Sequence, residues 1–187
     1  VDQREVHSNL YYIKYKIHNE ENFLTIATTR PETMIGDTAV AVNPKDDRYK
    51  KFVGKKIVIP IVERQVEIIA DNYVSLDQGS GALKVTPAHD FNDFEIGKRH
   101  KLKYINIFEK NGTLNKNAPN NLVGKDRFEA RKLIVAILKE KNLLEKIENI
   151  KNAIPYGDRS NSIIEPLLTE QWFVDAKFLS KKAIQVV

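Results

Sequence analysis

A chain of 187 residues with 42% hydrophobic and 29% charged residues holds enough apolar material for one domain with a core, with room for an appendage, and its composition is ordinary for a globular protein. It contains no cysteine, which excludes a disulfide framework and a thiolate metal site, and no run approaches the roughly eighteen apolar residues of a membrane-spanning helix. The net charge of +5 is uneven, with 15 basic against 9 acidic residues between 81 and 151, and a basic zone of that kind favours a phosphate-backbone partner.

The start, Val1-Asp2-Gln3-Arg4, has neither an initiator Met nor a signal peptide and reads as a piece of a longer chain. From Leu10 to Ile17, Ile13, Tyr15 and Ile17 alternate with Lys14 and Lys16, the pattern of a half-buried strand. A turn over Asn19–Asn22 and a second strand, Phe23–Thr28, complete a hairpin. Pro31 breaks the pattern, so Thr28, Thr29, Arg30 and Thr33 fall on a loop leaving a strand end. Thr38–Val42 is a short strand, and Asn43-Pro44 reads as the cap and first position of a helix over Lys45–Phe52, ended by Gly54. Strands follow at Lys56–Ile61, Gln65–Ala70, Tyr73–Leu76 and Ala82–Thr86, and a further one at Tyr104–Phe108. Helices are expected over Asn92–His100, capped by Asp90 or Asn92, and over Asp126–Lys141, where Phe128, Leu133, Ile137 and Leu138 recur at helical spacing. Many short strands with helices as excursions, and no regular strand–helix alternation, give a β-rich α+β fold class.

The stretch most charged with chemistry is Gly79-Ser80-Gly81-Ala82-Leu83-Lys84-Val85-Thr86-Pro87-Ala88-His89-Asp90-Phe91-Asn92-Asp93. In a strand, Leu83 and Val85 point one way and Lys84 and Thr86 the other. Pro87 ends the strand, and Asp90 and Asp93 open the helix, so Lys84, Thr86, Asp90 and Asp93 gather at one strand-to-helix corner. Taken alone, that corner is equally a strand end followed by acidic residues suited to a helix N-terminus. Ser80 serves the glycine turn.

The run ATTRPETMIGDTAVAVNP, about fifty residues earlier, adds the second half of the pattern. Together with GSGALKVTPAHDFNDFEIGKRH it resembles the editing insertion of class I aminoacyl-tRNA synthetases for branched aliphatic amino acids, most nearly the valyl branch. The resemblance runs from about Phe23 to Val174. It implies a closed β-barrel core with peripheral helices over residues 1–155, and a ribbon over 156–187 that returns towards a synthetase catalytic domain outside this chain. Neither a HIGH-like nor a KMSKS-like segment is present, so amino-acid activation and ATP binding are expected elsewhere in the longer enzyme.

The implied activity is hydrolysis of a mischarged aminoacyl ester, threonine on valine tRNA. By resemblance Asp93, Asp90, Lys84 and Thr29 carry the hydrolytic step, while Thr28, Arg30, Thr33, Thr86 and His89 bind the substrate. Lys98, Arg99 and Lys101 are expected to touch the tRNA, whose 3′ acceptor end is the partner. No cofactor is implied. Many relatives carry a zinc-binding Cys pair where this chain has Asp158 to Ser162, and no metal site is expected. Gln78 stands where relatives commonly place an aromatic residue. The domain is expected to be monomeric, without a membrane contact, in the cytoplasm. A leucyl- or isoleucyl-type editing domain and a non-catalytic tRNA-binding module are the alternatives.

Overall fold

The long first strand organises the sheet. In the computed structural model, which describes residues 1–77 and 79–185, β1 (Asp2–Ile17) pairs antiparallel with β2 (Phe23–Thr28), setting Ile13 opposite Ile26 and Tyr15 opposite Leu24. The C-terminal end of β1 also carries β4, and the described residues form one seven-stranded sheet in the order β2-β1-β4-β5-β3-β6, with β7 on β1. The remaining strands are β3 (Ala39–Val42), β4 (Lys56–Val58), β5 (Gln65–Ala70), β6 (Ala82–Val85) and β7 (Leu144–Tyr156). β2 and β6, the two ends of this path, lie against each other, so the sheet curls into a nearly closed barrel with a seam between them.

Alternation along the strands divides the apolar side chains between two cores. Ile13, Tyr15, Ile17, Leu24, Ile26, Val40, Val42, Ile57 and Ile68 fill the barrel. Ala39, Ala41, Val85 and Ile69 face the other way and pack with Ile96 of α1 (Phe91–Arg99). Small alanines on β3 let that helix approach, as does Gly97, where an added Cβ would lie 2.9 Å from the Pro87 ring. α2 (Arg127–Glu140) closes a second flank through Ala130, Ile134 and Leu138. Its buried stripe is therefore rotated from the expected one: Leu133 is exposed, and Phe128 and Ile137 are only half-buried.

Several expected elements differ, each for a local reason. The helix foreseen over Lys45–Phe52 shrinks to a 3-10 turn at Lys50–Phe52, because the Asp46 carboxylate accepts from the Arg48 N–H and guanidinium and offers the backbone a turn instead. Tyr73–Leu76 is a turn built on Asp71, whose carboxylate accepts from the Tyr73 N–H. Tyr104–Phe108 makes only an isolated bridge between Phe108 and Leu114. β7 was not foreseen at all, nor was the Asp2–Asn9 half of β1. These two pair as a ribbon over Asp2↔Tyr156 to Tyr12↔Lys146, exposed along much of its length, so no buried face imposes alternation on the sequence. Residues 157–175 are mostly irregular, and α3 (Ala176–Ile184) follows within the stretch read as a ribbon. No helix among the described residues is long and apolar enough to cross a membrane.

Candidate active site

The seam between β2 and β6 opens into a hollow of about 590 Å³. Its wall holds Thr28, Thr29, Arg30 and Thr33 from one sequence run and Lys84, Thr86, His89, Asp90 and Asp93 from the other. These are all nine residues expected for the hydrolytic step and for substrate binding. β2 brings Thr28 to the rim, and the 3-10 turn Pro31–Gly36 turns Thr33 back so that its hydroxyl donates to the Arg30 carbonyl. β6 aims Lys84 and Thr86 inward because Leu83 and Val85 are taken by the α1 side. Asp90 caps α1, accepting from the Asn92 and Asp93 N–H groups at 2.8 and 3.1 Å. The cap fixes Asp93 one turn in, where its Oδ2 accepts from the Thr86 N–H at 2.8 Å.

Asp93 is buried, and burial pushes its carboxyl up to about 7, with Asp90 and Asp37 adding like charge and Lys84 opposing the rise. Its other oxygen takes no protein hydrogen bond among the described residues. His89 has a different role from a base. Its Nε2 accepts from the Ile107 N–H at 3.0 Å, and its ring meets Phe108 edge-on at 4.9 Å. Nδ1 lies by the Pro166 carbonyl without a well-aligned bond. Burial, then the Arg30 and Lys84 charges, push the imidazole down to about 3. The ring lone pair is thus already used, and His89 orients the loop. Arg30 donates to the His89 carbonyl at 2.9 Å and pairs with Glu165 at 3.1 Å.

Lys98, Arg99 and Lys101 do not line the hollow. They sit at the other end of α1, where Lys98 and Arg99 are exposed, Lys98 lies 3.5 Å from Glu95, and Arg99 is held by Asp71 at 3.0 Å. Gln78 lies outside the described residues. No group of His, Asp or Glu among the described residues has the geometry of a metal site.

Three features escaped sequence reasoning. Asp37 is fully buried behind the hollow, accepting from Tyr15 and Thr86. Its signal was present: a carboxylate between Ile35-Gly36 and Ala39-Val40 has core residues on both sides. Tyr73, 51% exposed, lines the hollow and also a second one of about 1120 Å³ along the same seam, with Leu10, Ala27, Ser80 and Leu83. The third is an ion cluster in which Glu32, fully buried, binds Arg131 through two contacts of 2.7 Å, while Glu165 meets Arg30, Arg127 and Arg131 at 3.1–3.2 Å. No local pattern announces it, because its members lie up to 135 residues apart.

Comparison with known proteins places the chain in a family and a fold. The model of a family described as the leucyl-tRNA synthetase editing domain matches residues 46–151, more than half of the chain. The chain belongs to this editing-domain family of class I aminoacyl-tRNA synthetases. Among curated proteins, it is 63% identical over 187 residues to the valine--tRNA ligase of Pelagibacter ubique, covering 100% of this chain and 21% of that protein. For the Coxiella burnetii valine--tRNA ligase the identity is 51% over 183 residues, covering 98% and 20%. For that of Clostridium tetani it is 49% over 187 residues, covering 100% and 21%. The editing domain thus spans about a fifth of the length of the relatives it matches. Its fold is shared by a leucyl-tRNA synthetase of Agrobacterium radiobacter in a ternary complex with tRNA and LeuAMS, at a TM-score of 0.60 and 16% identity, covering 85% of this chain and 24% of that one. The GlLeuRS-CP1 structure gives the same TM-score at 12% identity, covering 74% and 99%. The β-rich, barrel-like fold with peripheral helices is the one the sequence implied.

Proposed function

We propose that this editing domain hydrolyses threonine from mischarged valine tRNA. One observation carries the reading: two runs fifty residues apart fold onto one hollow whose wall sets a lysine beside a buried carboxylate. An apolar pocket built for valine rejects an isostere bearing a hydroxyl by only about a hundredfold, so a second, hydrolytic selection is needed. The hollow supplies it by inverting the preference. Lys84 can donate to the threonyl hydroxyl and Asp93 can accept from it, whereas a valyl methyl would leave both unpaired in a dry site, at about 1–3 kcal/mol for each.

An aminoacyl ester is already activated, so a positioned water is the nucleophile and orientation the main catalytic term. Thr29 and Thr28 line the ester end of the hollow, Arg30 and Thr33 shape the side-chain end, and His89 and Asp90 hold the loop that carries Asp93. The terminal adenosine then lies in the second hollow along the seam, with Tyr73 at the junction as its stacking surface, a role Gln78 cannot fill. Lys98 and Lys101 extend the tRNA contact towards the phosphates, and Arg99 reaches them only by sharing its guanidinium with Asp71. In the longer enzyme, residues 1–155 act as the editing body and 156–187 return towards the catalytic domain in the cytoplasm.

The test is deacylation of valine tRNA carrying threonine, beside tRNAs mischarged for the leucyl and isoleucyl enzymes. The reading predicts the fastest release from the threonyl ester. Equal rates on all of them would remove the valyl assignment, and binding without any turnover would leave a tRNA-binding module.

A further inference from the structure

Asp37 is fully buried and does not line the hollow, yet the side chains of Tyr15, Thr86 and Lys84 converge on it from behind. Its Oδ2 accepts from the Tyr15 hydroxyl at 2.8 Å. Its Oδ1 accepts from the Thr86 hydroxyl at 2.5 Å and lies 3.4 Å from the Lys84 ammonium. Lys84 donates in turn to the Thr86 oxygen at 2.5 Å. The position is built closely: a Cβ on the preceding Gly36 would lie 2.9 Å from the Ile105 carbonyl, and Arg64 donates to the Asp37 backbone carbonyl at 2.7 Å.

Burial raises the Asp37 carboxyl above the ordinary carboxylate range, and the Lys84 ammonium with the Thr86 and Tyr15 hydroxyls pulls it back. Facing that ammonium as a carboxylate it has no proton to give, so both hydroxyls donate into it. The Thr86 hydrogen is therefore used up, and its oxygen serves only as an acceptor for Lys84. With Lys84 directed at Thr86 and Asp37, one ammonium hydrogen is left over. Asp93 has one oxygen taken by the Thr86 N–H and one left over. The hollow consequently presents one spare donor and one spare acceptor, the pair that a hydroxyl satisfies. If Asp37 lost its charge, Lys84 would lose its counter-ion, and Asp93, which lines the same hollow and already feels the Lys84 charge, would be left to draw the ammonium. An ammonium turned onto Asp93 consumes both spare groups at once.

We propose that Asp37 is a positioning residue that sets the hydrogen-bond polarity of the hollow and with it the preference for a hydroxyl-bearing aminoacyl group. The inference rests on the proposed deacylation, and its readout is a ratio, because a general loss of folded protein lowers two rates together without changing their quotient. The assay measures deacylation of valine tRNA carrying threonine and of the same tRNA carrying 2-aminobutyrate, which lacks the hydroxyl. Wild type, Asp37→Asn, Lys84→Met and the double variant are compared, with thermal melting of each.

Wild type is expected to favour the threonyl ester by about tenfold or more, the effect of one or two hydrogen bonds, and Asp37→Asn to fall to within about threefold of parity. In the Lys84→Met background the second change should leave the ratio as it was, because Asp37 acts through Lys84. That comparison removes both charges of the pair, so a ratio that changes in the double variant counts against the proposal even if Asp37→Asn alone does not fold. No release of threonine by wild type would overturn the proposed function itself, whereas release with a wild-type ratio near one would overturn the hydroxyl preference and the role of Asp37 with it. A wild-type preference kept intact in Asp37→Asn, or a ratio that changes again between Lys84→Met and the double variant, would overturn the role of Asp37 alone.

Discussion

Replacing Asp93 by Asn should stabilise the protein above neutral pH while removing its activity, a combination that a merely structural carboxylate would not produce. The folded carboxyl is raised from 3.8 to about 7, chiefly by burial. A raised carboxylate binds its proton more tightly when folded, so its contribution favours folding at low pH and is lost as pH climbs through that window. Each unit is worth about 1.36 kcal/mol, so holding Asp93 ionised at pH 8 costs up to about 4 kcal/mol, and less than about 1 kcal/mol near pH 4. Asn cannot ionise, and its amide oxygen still accepts from the Thr86 N–H. For a chain of this size the gain corresponds to roughly 10 °C in melting temperature at pH 8. Thermal melts followed by circular dichroism from pH 4 to 8 read it directly, beside the threonyl deacylation rate. A variant that melts no higher than wild type at pH 8, or a gap that does not widen with pH, would refute the reasoning.

The same ionisation predicts that wild-type kcat/KM for threonyl release rises with pH through about 7, measured between pH 5.5 and 8.5; a flat profile would separate the carboxylate from catalysis. His89→Ala should cost about 1–3 kcal/mol by stranding the Ile107 N–H, yet leave the midpoint of that profile in place, since the imidazole is not the titrating group. Glu165→Gln should destabilise by about 3 kcal/mol, leaving Arg30 and Arg131 to Glu32 and Arg127 with no carboxylate partner among the described residues, and should also slow deacylation by freeing Arg30; denaturant melts and single-turnover rates report the two effects. Tyr73→Ala should raise KM for the charged tRNA by about tenfold with kcat kept, the loss of one base-stacking contact of roughly 1–3 kcal/mol.

Where burial writes a period into the sequence, the fold could be read from it. β2 and β5 fall on their expected ends because each buries mainly one face, β6, covered on both, stops one residue short of its expected end beside Pro87, and α1 starts where Asp90 can cap it. The ribbon of β1 and β7 buries little, so its polar residues carry no alternation and the strand over Leu144–Tyr156 went unseen. Lys45–Phe52 shows the opposite failure: helix-like signals at Asn43-Pro44 were overridden by Asp46 and Arg48. The residues by themselves placed Thr28, Thr29, Arg30 and Thr33 on a loop at Pro31 and Lys84, Thr86, Asp90 and Asp93 at a corner around Pro87; it was the family resemblance that joined the two runs, added His89 and gave the nine their roles. Asp37 was overlooked although a carboxylate set between apolar residues marked it as buried, and Tyr73 carried no signal, because its part comes only from its place between two hollows. Glu165 lies still further from sequence logic, being joined to Arg30 only by the folded chain.

The decisive measurement is a crystal structure with a non-hydrolysable threonyl-adenosine. The ligand should lie along the β2–β6 seam with its side-chain hydroxyl between the Lys84 ammonium and the free oxygen of Asp93, and its base against Tyr73. A hydroxyl turned to solvent, or a ligand bound away from the seam, would contradict a site that selects the alcohol over the hydrocarbon.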